Sequence, residues 1–214
     1  MTTTAIVAQG TTFYIGVSGG TSKNISAITK ANPAVVTTSG AHSLSDGAIV
    51  KFSSAAGMTQ INGRVAVVDV VTTSQFRAYG INSSAFTSYS GSGTVINNKF
   101  QINNVLTFQR GGAQKAQIDV TDLNSTSKEF LGGLQDQGTF TLGGKFKASD
   151  DGQEALRASY AFSGQSVPVK ITYSDASYDS FSAEVISFDV SGGVDQAVDF
   201  NSSLRITGDV TTTP

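Results

Sequence analysis

The chain has 214 residues, a net charge of −2 and only 14% charged residues, while 28 Ser, 24 Thr and 23 Gly supply 75 residues. This composition, with 13 Phe, favours many short strands joined by tight turns over a helical bundle, which is rich in Ala, Glu, Lys and Leu. A chain without Cys and with one His excludes disulfides, cysteine catalysis and a multi-histidine metal site within one subunit. We therefore expect no cofactor, and no stretch is long and apolar enough to predict a membrane span.

Charge is divided unevenly along the chain. Residues 1–97 carry five basic and two acidic residues, a balance of +3, while residues 98–214 carry nine basic and fourteen acidic residues, a balance of −5. This division predicts two units with different surroundings. The acidic unit lacks the clustered Lys and Arg that phosphate binding needs, and the basic residues of the first unit are scattered, so no nucleic-acid site is predicted.

The first part of the chain shows short strands separated by turn sequences. Residues 11–18 predict a first strand, and Gly19-Gly20 predicts the turn that ends it. Beyond it, β-branched or aromatic runs alternate with turns such as Asp46-Gly47 and Asn62-Gly63. The runs are residues 35–36, 49–52, 65–71, 76–79 and 86–89. Their spacing predicts a small β-barrel or sandwich, with residues 90–94 as a flexible exit.

The second part shows clearer two-residue alternation. In the last strand, apolar residues from Val198 to Val210 fall on even positions and polar residues fall on odd positions, which predicts a strand with one buried face. In the preceding strand the alternation changes phase between Val185 and Ile186. Since a strand has a strict period of two, this phase change predicts a β-bulge at that point.

One helix is predicted, and it precedes these two strands in the sequence. Asp151 is a candidate N-cap, and Glu154 lies three residues later, as in a capping box. Gly164 supplies a stop signal. The spacing predicts a helix over about 151–163.

Residues 121–137 are predicted to connect two strands through a loop that is rich in Gly. Phe130, Leu131 and Leu134 lie in this segment beside Gly132-Gly133, with no alternation that buries them. Apolar residues on a long loop either pack beneath the domain or contact a partner. The residues alone leave both alternatives open.

No arrangement of residues predicts catalysis. His42 lies between turn residues and lacks a nearby Ser in the setting that a catalytic triad requires. The acidic residues 150–154 are explained by the favourable charge at a helix N-terminus. Asp175 and Asp179 flank a predicted hairpin turn. We therefore expect that the chain is not an enzyme.

Residues 98–214 resemble the major tail protein, or tail tube protein, of bacteriophages with long non-contractile tails. The similar segments, in matching order and spacing, are residues 118–126, 131–140, 150–157, 181–188 and 204–208. The resemblance implies a mainly β fold, a tube-protein β-sandwich or barrel with one α-helix. It makes residues 98–214 a tail tube domain, to which residues 1–25 contribute an N-terminal arm and the first strand.

Residues 26–97 resemble a different module. Residues 28–47, 57–64 and 76–79 are similar to the small β-barrel known as the first catalytic cysteine half-domain of ubiquitin-activating enzymes. Without a Cys, no thioester chemistry carries over. The resemblance implies a small β-barrel lobe inserted into the tube domain, and we expect this lobe on the outer surface of the tube.

The tail resemblance implies a structural virion protein that polymerises as stacked, hexameric rings into a tail tube, the channel for DNA delivery. Its implied partners are its own copies, the tape measure, tail-terminator and distal tail proteins, and viral DNA that passes without specific binding; no membrane is implied. The implied location is the virion tail, after assembly in the host cytoplasm. Contacts between rings are expected at four residues and the N-terminal arm, while the residues that line the channel are not assigned. The four residues are Leu123, Phe130, Leu131 and Leu134.

An alternative is a binding or decoration module on the phage surface that recognises carbohydrate or the host surface. Tyr79 and Tyr89 are expected to be exposed on the barrel lobe, where their rings can stack on sugars.

Overall fold

A computed structural model describes residues 5–17, 20 and 22–214, and it shows a mainly β fold with a closed six-stranded barrel beside a curled seven-stranded sheet. The expected fold class is therefore confirmed. Ser18 and Gly19, at the expected end of the first strand, lie outside the described residues. The elements in chain order are β1 (Thr12–Ile15), β2 (Lys23–Ile28), β3 (Ala34–Thr38), β4 (Ile49–Ser53), β5 (Val65–Thr72), β6 (Gln75–Tyr79), β7 (Thr94–Asn97), β8 (Phe100–Ile102), β9 (Val105–Gly111), β10 (Gln114–Asp119), β11 (Phe130–Asp136), β12 (Thr139–Lys145), α1 (Asp151–Tyr160), β13 (Val167–Thr172), β14 (Tyr178–Ser191) and β15 (Asp199–Thr213).

The barrel closes in the order β2-β3-β6-β5-β4-β7 around its own apolar core, which includes Phe52 and Phe76. We call this unit the barrel lobe. The prediction of a strand at residues 86–89 is wrong, because this segment forms turns and a loop whose aromatic side chains pack on the barrel core. The predicted flexible exit is also wrong, since Gly91 forms a β-bridge with Ala56 and Thr94 begins β7.

The larger sheet has the order β8-β1-β13-β14-β15-β12-β9 and curls around an aromatic core. Phe13 of β1 and Phe108 of β9 show the curl, because their ring centroids lie 5.0 Å apart although the two strands stand near opposite ends of the order. The predicted β-bulge is confirmed by a register shift in β14 between Val185 and Ser187. The shift leaves Ile186 exposed at the bulge and returns Phe188 to the side that packs on the core.

Helix α1 begins where the sequence predicts but ends at Tyr160, three residues before the expected end. The N-cap is Asp150 and not Asp151, because the Asp150 carboxylate accepts a hydrogen bond from the Gln153 backbone N–H at 2.9 Å. After the helix a tighter turn, in which Phe162 N–H donates to Ser159 C=O, directs Phe162 into the core.

The barrel lobe is fixed against the curled sheet through α1. Ile49 and Val67 of the lobe are fully buried in the same cluster as Leu156 of α1. Two ion pairs also join the lobe to the helix, Lys51–Asp151 and Arg64–Glu154, each at 2.6 Å. The barrel lobe therefore keeps its own core and also contributes Ile49 and Val67 to the core of the large sheet.

Candidate assembly surface

Strands β10 and β11 form a hairpin that pairs with no other strand of the described chain. The expectation of a loop over residues 121–137 is therefore wrong for its second half, where Phe130–Asp136 is a strand. Ile118 lies opposite Leu131, and Asp119 lies opposite Phe130. We call residues 114–136, including the connecting loop, the exposed hairpin.

The exposed hairpin carries apolar side chains on both of its faces. Residues directly opposite each other in an antiparallel pair share a face, so Ile118 and Leu131 lie on one side. Phe130 lies opposite Asp119 and is on the other side. Because β11 has an extra residue between Phe130 and Leu134, the side chain of Leu134 returns to the side of Ile118 and Leu131. One face of the exposed hairpin is therefore mainly apolar, and Phe130 adds an apolar side chain to the other face.

These side chains are uncovered in the single subunit. Leu134 is 90% exposed, Leu131 59% and Phe130 50%, and Leu123 in the connecting loop is fully exposed. Of the two alternatives that the sequence left open for the three strand residues, packing beneath the domain is excluded. A two-stranded hairpin without a packed face is marginally stable in water, which adds to the need for a partner.

Gly138 lies at the base of the exposed hairpin, where the backbone passes close to Gly111. Gly138 has φ +78°, and a Cβ on it would lie 2.1 Å from the carbonyl oxygen of Gly111. No side chain fits that space, so this close approach of the two backbone segments requires glycine.

An ion pair also connects the base of the exposed hairpin to the large sheet. Asp136 accepts a hydrogen bond from the Gly138 backbone N–H at 2.8 Å and forms an ion pair with Arg205 of β15. The Gly138 N–H, followed by Arg205, lowers the pKa of the Asp136 carboxyl below its ordinary value. The hairpin therefore leaves the sheet in a defined direction.

The N-terminal arm is also exposed. Ile6 is uncovered, and the backbone carbonyl of Val7 accepts a hydrogen bond from Ser174 Oγ at 3.0 Å, which places the arm against the turn between β13 and β14. Residues 1–4 of the expected arm lie outside the described residues.

The face of the large sheet that points away from α1 is polar. One row across four neighbouring strands consists of Gln109, Thr141, Ser203 and Ser187, which lie opposite one another in register. We call this polar surface the hydroxyl face. The opposite face of the sheet carries the apolar core and contacts the buried side of α1.

The basic side chains of the hydroxyl face have partners within the subunit. Lys145 forms an ion pair with Asp199 at 2.6 Å, and Arg205 has Asp136. Lys170 lies 3.5 Å above the centroid of the Tyr178 ring, a cation–π contact. These contacts reduce the positive charge available to a phosphate.

His42 has a structural position. Its Nδ1 accepts a hydrogen bond from the Leu44 backbone N–H at 3.0 Å, so Nε2 carries the proton and donates to the Thr72 carbonyl at 2.9 Å. The imidazole is buried with its edge against the Phe76 ring. Both ring nitrogens are used, as expected for a histidine that belongs to the barrel lobe.

The acidic groups named in the sequence analysis also have structural contacts. Asp150 caps α1, while Asp151 and Glu154 pair with the lobe. Asp179 is buried, accepting hydrogen bonds from Tyr173 and Thr212, and burial followed by the Asp179 hydrogen bond raises the pKa of Tyr173 to about 12. In the part of the chain that the structure covers, no group of three or more His, Cys, Asp or Glu residues is placed to hold a metal ion.

The two tyrosines expected as exposed sugar platforms are partly buried. The Tyr79 ring packs against the Phe162 ring between the lobe and the large sheet, with the two ring centroids 4.7 Å apart. Tyr89 packs on the barrel core, where its hydroxyl donates to the Ile25 carbonyl and accepts from the Gly93 N–H. The expected exposure of both rings is therefore wrong, because each ring closes a gap in the packing.

Residues 31–99 match the model of the ubiquitin-activating enzyme E1 FCCH domain family. The match covers five of the six strands of the barrel lobe, β3 to β7, and about a third of the chain. No curated protein matches the chain significantly. Within the described ranges, no helix has the length and apolar character needed to cross a membrane.

Three solved structures show a low level of similarity to the chain. A chain in the tail of an empty gene transfer agent particle with C6 symmetry is 19% identical, with a TM-score of 0.46 over 55% of this chain and 88% of that chain. A chain of the native gene transfer agent virion is 18% identical, with a TM-score of 0.45 over 56% and 89%. A chain of the anti-feeding prophage baseplate is 12% identical, with a TM-score of 0.42 over 80% and 95%. Likeness at this level carries no argument about assembly.

Proposed function

We propose that this protein is a structural subunit of a phage tail tube, which polymerises as stacked, hexameric rings and encloses the channel for DNA delivery. The observation that carries the proposal is the exposed hairpin, which presents a mainly apolar face and Phe130 on the other face, none of them covered by the residues that the structure describes. Contiguous exposed apolar surface of this kind is typical of protein–protein interfaces. Leu123, Phe130, Leu131 and Leu134 then contact the neighbouring ring.

The edges of the large sheet support association within a ring. Its order begins with β8 and ends with β9, so one side of each of these strands is unpaired within the residues that the structure describes. Exposed edge strands are templates for pairing with another chain. In a ring, the sheet edge of one subunit pairs with that of its neighbour, and the sheets join into a continuous wall.

The layers of the subunit support one orientation in that wall. The hydroxyl face lies on one side of the sheet, while α1 and then the barrel lobe lie on the other. A ring offers more space at larger radius, so the bulky layers fit outside and the hydroxyl face fits inside. The expected boundary between residues 25 and 26 falls inside β2, which belongs to the barrel. We propose that the barrel lobe, from β2 to β7, is the outer lobe and that the remaining strands and α1 build the tube.

The chemistry of the hydroxyl face suits a channel that DNA passes through without binding. Binding to the phosphate backbone depends on free Lys and Arg. Here Lys145 and Arg205 are paired with carboxylates, and Ser, Thr, Asn and Gln occupy much of the remaining surface. This proposal assigns no catalytic role to the chain. Its proposed partners are its own copies and the other tail proteins, and its proposed location is the virion tail, after assembly in the host cytoplasm.

Negative-stain electron microscopy of the purified full chain over a concentration series tests the proposal. We expect hollow rods with a regular axial repeat at high concentration and single subunits at low concentration. Sedimentation of the same samples measures the fraction assembled. A chain that remains monomeric up to its solubility limit contradicts the proposal.

A further inference from the structure

A polar cleft of about 500 Å³ lies between the barrel lobe and α1. One wall is the helix, from which Glu154 and Arg157 point toward the lobe, and the other wall includes Asn32, Tyr79 and Asn82. A volume in this range is typical of small-molecule sites, which occur preferentially between packed units of a protein.

The cleft contains hydrogen-bonding groups that the fold leaves unused. The Glu154 carboxylate is bound through Oε1 by Arg64 at 2.6 Å, so Oε2 remains as an acceptor. Arg157 is exposed, and in the part of the chain that the structure describes it forms no ion pair. Asn82 Oδ1 accepts from the Ser84 N–H, which leaves its amide N–H groups to donate.

The walls of the cleft are held in place before any ligand arrives. A Cβ on Gly80 would lie 2.6 Å from Ala158 Cβ, so lobe and helix are in close contact at the bottom of the cleft. The loop that carries Asn32 and the loop that carries Asn82 are also joined by hydrogen bonds. The buried Ser83 Oγ accepts from the Ala31 N–H at 3.0 Å and donates to the Thr29 carbonyl at 2.7 Å. A preorganised site loses less conformational entropy on binding.

We propose that this cleft binds a sugar that carries a carboxylate. The free guanidinium of Arg157 offers a bidentate pair to a carboxylate, the geometry for which Arg is suited. Asn32, Asn82 and Glu154 Oε2 offer donors and acceptors to the ring hydroxyls, and Tyr79 supplies an aromatic wall. Glu154 disfavours a phosphate dianion, and a neutral sugar leaves Arg157 unused.

An NMR titration of the isotope-labelled full chain, kept below the concentration at which it assembles, tests this site. Glucuronic acid is the probe and glucose is the neutral comparison. We expect glucuronic acid to shift the side-chain signals of Arg157, Asn32 and Asn82, with glucose at least tenfold weaker. Because a charge-assisted pair is lost, Arg157→Gln weakens glucuronic acid binding by about tenfold.

Lys128→Gln is the matched control, since it removes one exposed positive charge from the distant hairpin loop. We expect this variant to bind glucuronic acid as the wild type does. Equal affinity for glucose, equal weakening by both variants, or no shift of the cleft signals overturns the proposal. Each measurement is made on unassembled subunits, so the result does not depend on whether the chain forms a tube.

Discussion

Replacing two leucines of the exposed hairpin, Leu131→Ser with Leu134→Ser, is expected to raise the concentration needed for assembly strongly while leaving the subunit folded. Their exposed fractions, 59% and 90%, correspond together to about one and a half leucines that are free to become buried. Burial of a whole leucine side chain contributes roughly 2 kcal/mol, so the double variant loses about 3 kcal/mol at each contact. Since 1.4 kcal/mol is a factor of about ten, the concentration needed for assembly rises about a hundredfold.

Sedimentation over a concentration series measures this critical concentration, and thermal unfolding checks the subunit. The melting temperature of the double variant should stay within about 2 °C of the wild type, because the side chains have few contacts in the monomer. Gln117→Ser with Gln135→Ser is the matched control on the same hairpin, and it should assemble normally. Assembly of the leucine variant at the wild-type concentration would refute the assignment of the hairpin as the contact.

Three further predictions concern the hairpin base and the lobe. Gly138→Ala should lower the free energy of unfolding by several kcal/mol more than Gly164→Ala in urea titrations, because both glycines have φ +78° but only Gly138 faces a backbone atom, the Gly111 oxygen. Because the pKa of Asp136 is lowered, its contribution to stability is present above the ordinary carboxyl pKa and is lost as the pH falls through the lowered value. Amide protection at the hairpin base should therefore persist below the ordinary carboxyl pKa, and Arg205→Gln should lose this protection at a higher pH than the wild type does. The lobe and the large sheet should unfold in one calorimetric transition because Ile49 and Val67 of the lobe belong to the core of the large sheet, and two separate transitions contradict this.

Elements with one buried face could be predicted from the sequence. The alternation in β15 and the change of phase at Val185 arise because one side of each strand packs on the core, and both features appear in the structure. The exposed hairpin gives no such signal along β11, because apolar Phe130 and Leu131 are adjacent and Gly132-Gly133 resembles a loop. In β10 polar and apolar residues alternate, but the apolar side that carries Ile118 is exposed in the subunit.

The candidate contact residues could be named from the sequence, but their arrangement could not. Pairing across the exposed hairpin brings Ile118 opposite Leu131, and this depends on a register that includes a bulge at Ala116. The cleft beside α1 was not predicted, because Arg157 and Asn82 are far apart in the chain and meet only through the docking of the lobe. The same docking explains why Tyr79 is partly buried.

Amide hydrogen exchange of residues 114–136, compared between free subunits and assembled material, tests the central claim most directly. In the subunit, the exposed hairpin has no packed face, so its amides should exchange rapidly. On assembly the same amides should become strongly protected, while those of the barrel core in β5 change little. Equally rapid exchange of the hairpin in both states would contradict the claim that neighbouring subunits cover it.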